Sequence, residues 1–496
     1  MSAGLRISAL GAEVHIVCDD LDGFSRAAVE EAWRDARADA GESSAFNVDV
    51  VTRPGGGIRH LLAWLSQRVT LAAIEAQRGR MWMLHAAGLA LPDGRVVALV
   101  GPSGRGKTTA ARVLGEAFGY VSDETVAIDG QGRVHPYRKP LSILEPGEAV
   151  KAQRSPSRLG LQELPNAPLR LAGIVLLDRR EDVDGAIVED MELGDALDEL
   201  VAQSSHLAEM AAPLRTIAAH AAAVGGVRRV VYREASDLAD LVPAFAVAEP
   251  RPVTVATVSP RSVSSSVGEG LARTPFVDAL LLEDPERIAL IHRGDSDDPG
   301  MLRILAGIAP ALWRAADGIS LERLVHAAVA AHGEPDGKDA RAAVAAVADE
   351  LVGCGVLRHF VSRWAVREDV AWTGGEGRVV AWTMADAAAH PRALEGSAAL
   401  IWEALTPPAT EAEVTERVAA SAGVAVGVVA ADVHAFLVLL ESRGLIERRS
   451  QPFQTIGNRP SSGGRPSARR HPRRTLPVLP APAASALRSP CSRTAR

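Results

Sequence analysis

The chain has 496 residues, 47% of them apolar and 4% aromatic, with 54 basic and 61 acidic side chains giving a formal charge of −7. Such a composition builds packed cores, and the length corresponds to about three domains. Residues 451–496 hold nine arginines and no acid, so the first 450 residues carry −7 − 9 = −16, which argues against broad binding to a nucleic-acid backbone.

Cys18, Cys354 and Cys491 are too far apart in sequence to suggest a disulfide framework or a thiolate zinc site. Runs such as VVALV and IVLL fall well short of the roughly 20 apolar residues that span a bilayer. The expected setting is the cytoplasm, with neither nucleic acid nor membrane as a partner.

From the N-terminus, LRISAL and AEVHIVC read as strands, and residues 57–78 place Ile58, Leu61, Leu62, Leu65, Val69 and Ile74 at helical spacing. MLHAAGLAL and RVVALVG are apolar runs joined by Pro92, Asp93 and Gly94, the turn chemistry of a hairpin. GPSGRGKT, residues 101–108, follows at once and fits G-x-x-x-x-G-K-[ST], and KTTAARVLGEA then opens a helical pattern. A strand, this loop and a helix in succession define a P-loop, and about 0.003 accidental matches are expected in a chain of this composition.

The chemistry follows from the residue types. Gly101, Gly104 and Gly106 permit a backbone path whose N–H groups point inward around phosphate oxygens, and the helix N-terminus adds favourable potential. Lys107 is one of only four lysines beside 50 arginines; its compact ammonium fits beside the β and γ phosphates where a planar guanidinium needs more room. Thr108 offers a hydroxyl to Mg²⁺. The expected nucleotide-binding set is Gly101, Ser103, Gly104, Arg105, Gly106, Lys107, Thr108 and Thr109, with ATP and Mg²⁺ as cofactors.

Phosphoryl transfer also needs carboxylates. Asp123 and Glu124 follow the short strand GYVS, and Asp178 ends the apolar strand LAGIVLLD in a Walker B-like position, so Glu124 and Asp178 join Thr108 as candidate Mg²⁺ ligands. His85, ahead of the hairpin, is a further candidate near the phosphates. Helical stretches at 193–224 and the strand RRVVYRE extend an α/β pattern over residues 1–246.

A Pro, Val and Ser-rich linker, 247–270, precedes Ala-rich helices and an internal repeat. An offset of 89 pairs Trp313 with Trp402, Leu305 with Leu394, Val344 with Val433, Leu351 with Leu440 and Gly355 with Gly444, so two copies of one small module are expected, at 271–360 and 361–449. In each, short strands (RIALIHRG, then RVVAWTM) precede a Trp-bearing helix and two more helices, with glycine at the last C-terminus. The Pro/Arg-rich tail, 450–496, has too little apolar surface to offset its ordering entropy and is expected to be disordered.

Two resemblances add to this. LHAAGLALPDGRVVALVGPSGRGKTTAARVLGEAFGYVSDETVAI resembles the core of HPr kinase/phosphorylase and its relatives. This implies a P-loop kinase fold akin to phosphoenolpyruvate carboxykinase, with Lys107 and Thr108 on nucleotide and metal, Asp123 as the base for a serine hydroxyl, Glu124 near the metal and His85 near the phosphates. Glu124 stands where that family carries a second Asp, Ala86 replaces a Gly after His85, and the family's Arg-Asn-rich C-terminal signature has no counterpart; these departures argue against HPr itself as substrate. The second copy of the repeat, SAALIWEALTPPATEAEVTERVAASAGVAVGVVAADVHAFLVLLESRGLIE, is similar to PqqD-type proteins, and the first copy more weakly. That similarity implies winged-helix α+β modules that take up an extended precursor or leader peptide by β-augmentation.

The expectation is therefore an ATP-dependent kinase-like protein that phosphorylates a Ser-type hydroxyl on a peptide or small protein of a ribosomal-peptide or cofactor-precursor pathway. The alternative is a nucleotide-binding peptide chaperone that delivers its cargo to another enzyme without turnover.

Overall fold

The computed structural model describes residues 4–38, 47–52, 57–102, 104–247, 249–251, 269–283, 286–293, 301–335, 337, 339–375, 377–385, 390–452 and 491–493. Ser103, most of the 247–270 linker and most of the C-terminal tail lie outside the described residues. Contacts divide the chain into two units, one drawn from residues 1–258 and 275–305, the other from 259–274 and 306–491.

In the first unit, the expected strands Gly4–Ala9 and Ala12–Val17 pair as a hairpin, with Asn47–Val51 added in parallel. The helix Ile58–Ala76 lays Leu61, Leu65, Val69 and Ala73 against Ile7, Val14, Ile16 and Trp33. The larger element is a six-stranded sheet in the order Ala186–Met191, Val227–Tyr232, Arg170–Arg179, Arg95–Val100, Ala86–Ala90, Gly119–Ser122. Its three middle strands are parallel. Parallel strands covered on both faces read as unbroken apolar runs, and alternate residues here feed opposite cores. Ala98, Val100, Ile174 and Leu176 pack with Ala196, Leu197, Leu214 and Ile217, whereas Val97, Leu99, Val175 and Leu177 pack with Ala110, Leu114 and Val242.

Two details differ from the sequence expectation. MLHAAGLAL is not one strand: Trp82–Leu84 pairs with Val126–Ile128 in a separate four-stranded sheet, and the chain steps across at His85 to Ala86–Ala90. The strands Asp278–Leu282, Arg287–His292 and Met301–Leu305, all within the expected first module and the second of them read as its leading strand, pack in the first unit instead. Leu280, Ala289, Ile291 and Leu302 join the core under helices Leu193–Ala202 and Pro213–Ala223, and Arg215 Nε donates to buried Asp278 Oδ1 at 2.9 Å.

The second unit bears the repeat. Helices Ala309–Ala315, Leu321–His332 and Ala340–Gly353 recur as Ser397–Ala404, Glu411–Ala422 and Val426–Ser442. Trp313 and Trp402 are fully buried, and Gly355 and Gly444 adopt φ of +75° and +68°, left-handed values suited to a helix C-terminus. After each set comes a strand that periodicity did not reveal, Leu357–Val366 and Ile446–Pro452, paired antiparallel in a sheet with Glu269–Arg273 and Asp317–Ile319. The second copy also has an antiparallel sheet, Val370–Gly375, Arg378–Thr383, Arg392–Glu395, whose Val379 and Ala381 pack on Trp402, Val418 and Leu437. Thr410 and Glu413 form a reciprocal capping box at the start of its middle helix.

Candidate functional site

The loop after Arg95–Val100 has the conformation its glycines predict. Gly104 and Gly106 take φ of +84° and +90°, a region closed to most side chains, and the helix Lys107–Leu114 begins directly after them. A Cβ on Gly106 would also lie 3.0 Å from the Tyr232 hydroxyl. That hydroxyl donates to Arg105 O at 3.1 Å, tying the loop to the parallel strand Val227–Tyr232, next but one in the sheet. Gly101 and Lys107 are buried, Thr108 is half-buried and Thr109 exposed.

Lys107 is folded back over the loop, its Nζ donating to Gly101 O at 2.5 Å and Pro102 O at 3.1 Å. Burial pushes its pKa down to about 8, against the opposing pull of Asp123 and Glu124. An ammonium held by loop carbonyls, over a glycine cradle, fits a site for phosphate oxygens.

The acids reach the same region through the sheet. Gly119–Ser122 pairs with Ala86–Ala90, and a Cβ on Gly88 would meet Val121 Cβ and Val126 Cγ2 at 3.0 Å, so a glycine is needed for this close approach. Asp123 follows, almost fully buried, accepting a hydrogen bond from Tyr120 Oη at 3.0 Å. Burial first, then the Asp123 charge, raises the Tyr120 hydroxyl well above its ordinary pKa.

Lys139 was not singled out from the sequence. Its Nζ lies 2.7 Å from Glu124 Oε2 and 3.6 Å from Asp123 Oδ1, and its side chain is 5% exposed. Burial works against the charge, but Asp123 and Glu124 outweigh it and raise the pKa above the ordinary lysine value. The available signal was scarcity, since Lys139 is another of the four lysines. Glu124 also accepts from Thr70 Oγ1 at 3.4 Å.

His85 sits at the crossing between the two sheets, its backbone N–H donating to Gln203 O at 2.6 Å. Burial, then the Lys107 charge, pushes its imidazole below the usual pKa. His85 and Glu124 border a cavity of about 410 Å³ whose other walls include Gln67, Thr70, Gln203 and Ser205.

Asp178 ends its strand beside the loop as expected but between two guanidinium groups: Arg180 NH2 at 2.7 Å and Arg105 NH1 at 3.4 Å. Among the described residues no group of three or more His, Cys, Asp or Glu side chains is placed to hold a metal. The expected carboxylate ligands are each engaged by a cation, Glu124 by Lys139 and Asp178 by Arg105 and Arg180. Thr108 remains as the expected protein ligand outside these ion pairs. No helix among the described residues is long and apolar enough to cross a membrane.

Residues 390–446 match the family model described as Coenzyme PQQ synthesis protein D (PqqD). The match falls on the second copy of the repeat; the first copy, expected to be a weaker relative, has no corresponding match. Among solved structures, the Hpr(Ser) kinase/phosphatase from Coxiella burnetii matches with 13% identity, covering 33% of this chain and 92% of that one at a TM-score of 0.19. So loose a likeness carries no argument about activity. No curated protein matches the chain.

Proposed function

We propose that the first unit binds ATP at residues 101–109, with Mg²⁺ carried on the phosphates and held by Thr108, and transfers the γ-phosphoryl group to a hydroxyl of a peptide captured by the PqqD-like region. The observation that carries this is that the charges of buried Asp123 and half-buried Glu124 both act on Lys107, which is folded back over the glycine loop. Asp123 is the base that accepts the acceptor's proton, a role typically worth 10²–10⁴-fold in rate. Lys107 neutralises charge on the transferring group. The cavity beside His85 and Glu124, where Leu71, Ile74 and Ala202 alternate with the amides and hydroxyls of Gln67, Thr70, Gln203 and Ser205, has room for a small hydroxyl-bearing side chain.

The peptide role rests on the match at residues 390–446 together with the β-augmentation that the resemblance implies. A capture site and a transfer site on one chain raise the local peptide concentration to roughly the mM range, so a weakly held acceptor can still be used.

A second reading, a nucleotide-binding peptide carrier without turnover, is favoured by the partners of Asp123. Lys139 lies 3.6 Å from its Oδ1 and Tyr120 donates to the same oxygen, so both compete with an acceptor hydroxyl for that position. Incubating the full chain with γ-labelled ATP and Ser-containing precursor peptides separates the two. Label on the peptide supports transfer; tight peptide and nucleotide binding with no label supports the carrier.

A further inference from the structure

We propose that Lys139 is a resident cation of the Asp123–Glu124 pair, standing where a carboxylate-bound divalent metal would otherwise sit. The inference deepens the phosphotransfer reading and rests on its assignment of these two acids to the site. It means that the pair recruits no metal of its own and that any Mg²⁺ enters with the nucleotide.

The geometry supports this at several points. The ammonium is within ion-pair distance of both carboxylates, one oxygen from each, at 2.7 and 3.6 Å. It is also fixed there. Lys139 lies between buried Arg138 and buried Pro140, and Arg138 is anchored through NH1 to Gln162 O at 3.1 Å. The Lys139 N–H donates to Tyr137 O at 2.8 Å, and its carbonyl accepts from Tyr120 Oη at 3.5 Å. A lysine set in such a wall cannot readily swing out to admit an ion.

Mg²⁺ demands near-octahedral oxygen ligands at about 2.0–2.1 Å and surrenders its waters reluctantly. A dication bound by both acids would lie within a few ångströms of the ammonium and be repelled by it. The residue type fits as well: in a chain with 50 arginines and four lysines, a compact point charge sits at the place where a guanidinium fork would need more room. Tyr120 and Thr70 also bond to the pair, and neither brings a third carboxylate.

The test is a Mn²⁺ titration followed by electron paramagnetic resonance on the full chain without nucleotide, for wild type, Lys139→Ala, Lys139→Gln and Lys139→Ala combined with Asp123→Asn. Wild type should show no site at concentrations where Lys139→Ala binds one Mn²⁺ at least tenfold more tightly, and the double variant should lose it. Two results overturn the proposal. One is a wild-type chain that binds Mn²⁺ at this pair, recognised by loss of the signal in Glu124→Gln, a measurement that needs no lysine variant to fold. The other is a Lys139→Ala or Lys139→Gln protein, folded by circular dichroism, that gains no Mn²⁺. Adding ATP to wild type should then bring one Mn²⁺ with it; failure of that arm alone contradicts the nucleotide reading and leaves the lysine result standing.

Discussion

The hydroxyl of Tyr120 donates a 3.0 Å hydrogen bond to Oδ1 of Asp123, and both groups are buried. This bond fixes the orientation of the carboxylate three residues after the tyrosine. Asp123→Asn keeps the shape and removes the base, so phosphoryl transfer should fall at least 10²-fold while nucleotide affinity stays within a few-fold. Tyr120→Phe should instead cost about 1–2 kcal/mol of stability, read from denaturant unfolding, with nucleotide binding kept. Equal activity in wild type and Asp123→Asn would remove Asp123 from the chemistry.

Gly106 gives a second prediction. At φ +90° it sits where an L side chain costs about 1–2 kcal/mol, and a Cβ would press on the Tyr232 hydroxyl at 3.0 Å. Gly106→Ala should weaken nucleotide binding by about tenfold or more and lower the unfolding midpoint. Gly160→Ala, also at positive φ but with open space around its Cβ, should cost stability without touching nucleotide affinity.

A pH dependence is expected from His292. Its imidazole is pushed down to about 4 by burial and then by the charge of Arg303. The unfolded chain takes up this proton near pH 6.5, so the stabilisation is complete above about 6.5 and is lost as pH falls toward 4. The effect is on the order of 3 kcal/mol. Chemical denaturation of wild type and His292→Asn between pH 4 and 7 should show a slope in the first that is reduced in the second.

Trp402 fills the core of the second copy with no exposed surface and meets Trp372 edge-on at 6.2 Å. Trp402→Ala should destabilise residues 390–446 by roughly 3–5 kcal/mol. Hydrogen exchange should report that loss in the helices Ser397–Ala404 and Val426–Ser442, with nucleotide binding by the first unit unchanged.

Much of the architecture was written in local pattern. The loop at 101–108, the hairpin around Pro92–Gly94, the long helix at 58–76 and the 89-residue spacing of Trp313 and Trp402 each follow from turn chemistry or periodicity. What escaped depends on contacts distant in sequence. Leu357–Val366 interleaves Arg358, Arg363 and Trp364 and becomes a strand by pairing with partners 80 or more residues away on both sides. The assignment of Asp278–Leu305 to the first unit follows from its packing on Leu214 and Ile217. Lys139 belongs to no motif; only the fold sets its ammonium between Asp123 and Glu124. For the same reason, Asp178 reads in sequence as a metal ligand although Arg105 and Arg180 bracket it in space.

The central claim, that the glycine loop and Lys107 grip a nucleoside triphosphate, is tested most directly by isothermal titration of MgATP into the full chain. Wild type should bind one equivalent with a dissociation constant in roughly the micromolar range, a binding free energy of about −8 kcal/mol. Lys107→Ala, folded by circular dichroism, should lose at least tenfold. A wild-type chain that takes up no nucleotide, or a Lys107→Ala chain that binds it as tightly, would contradict the account.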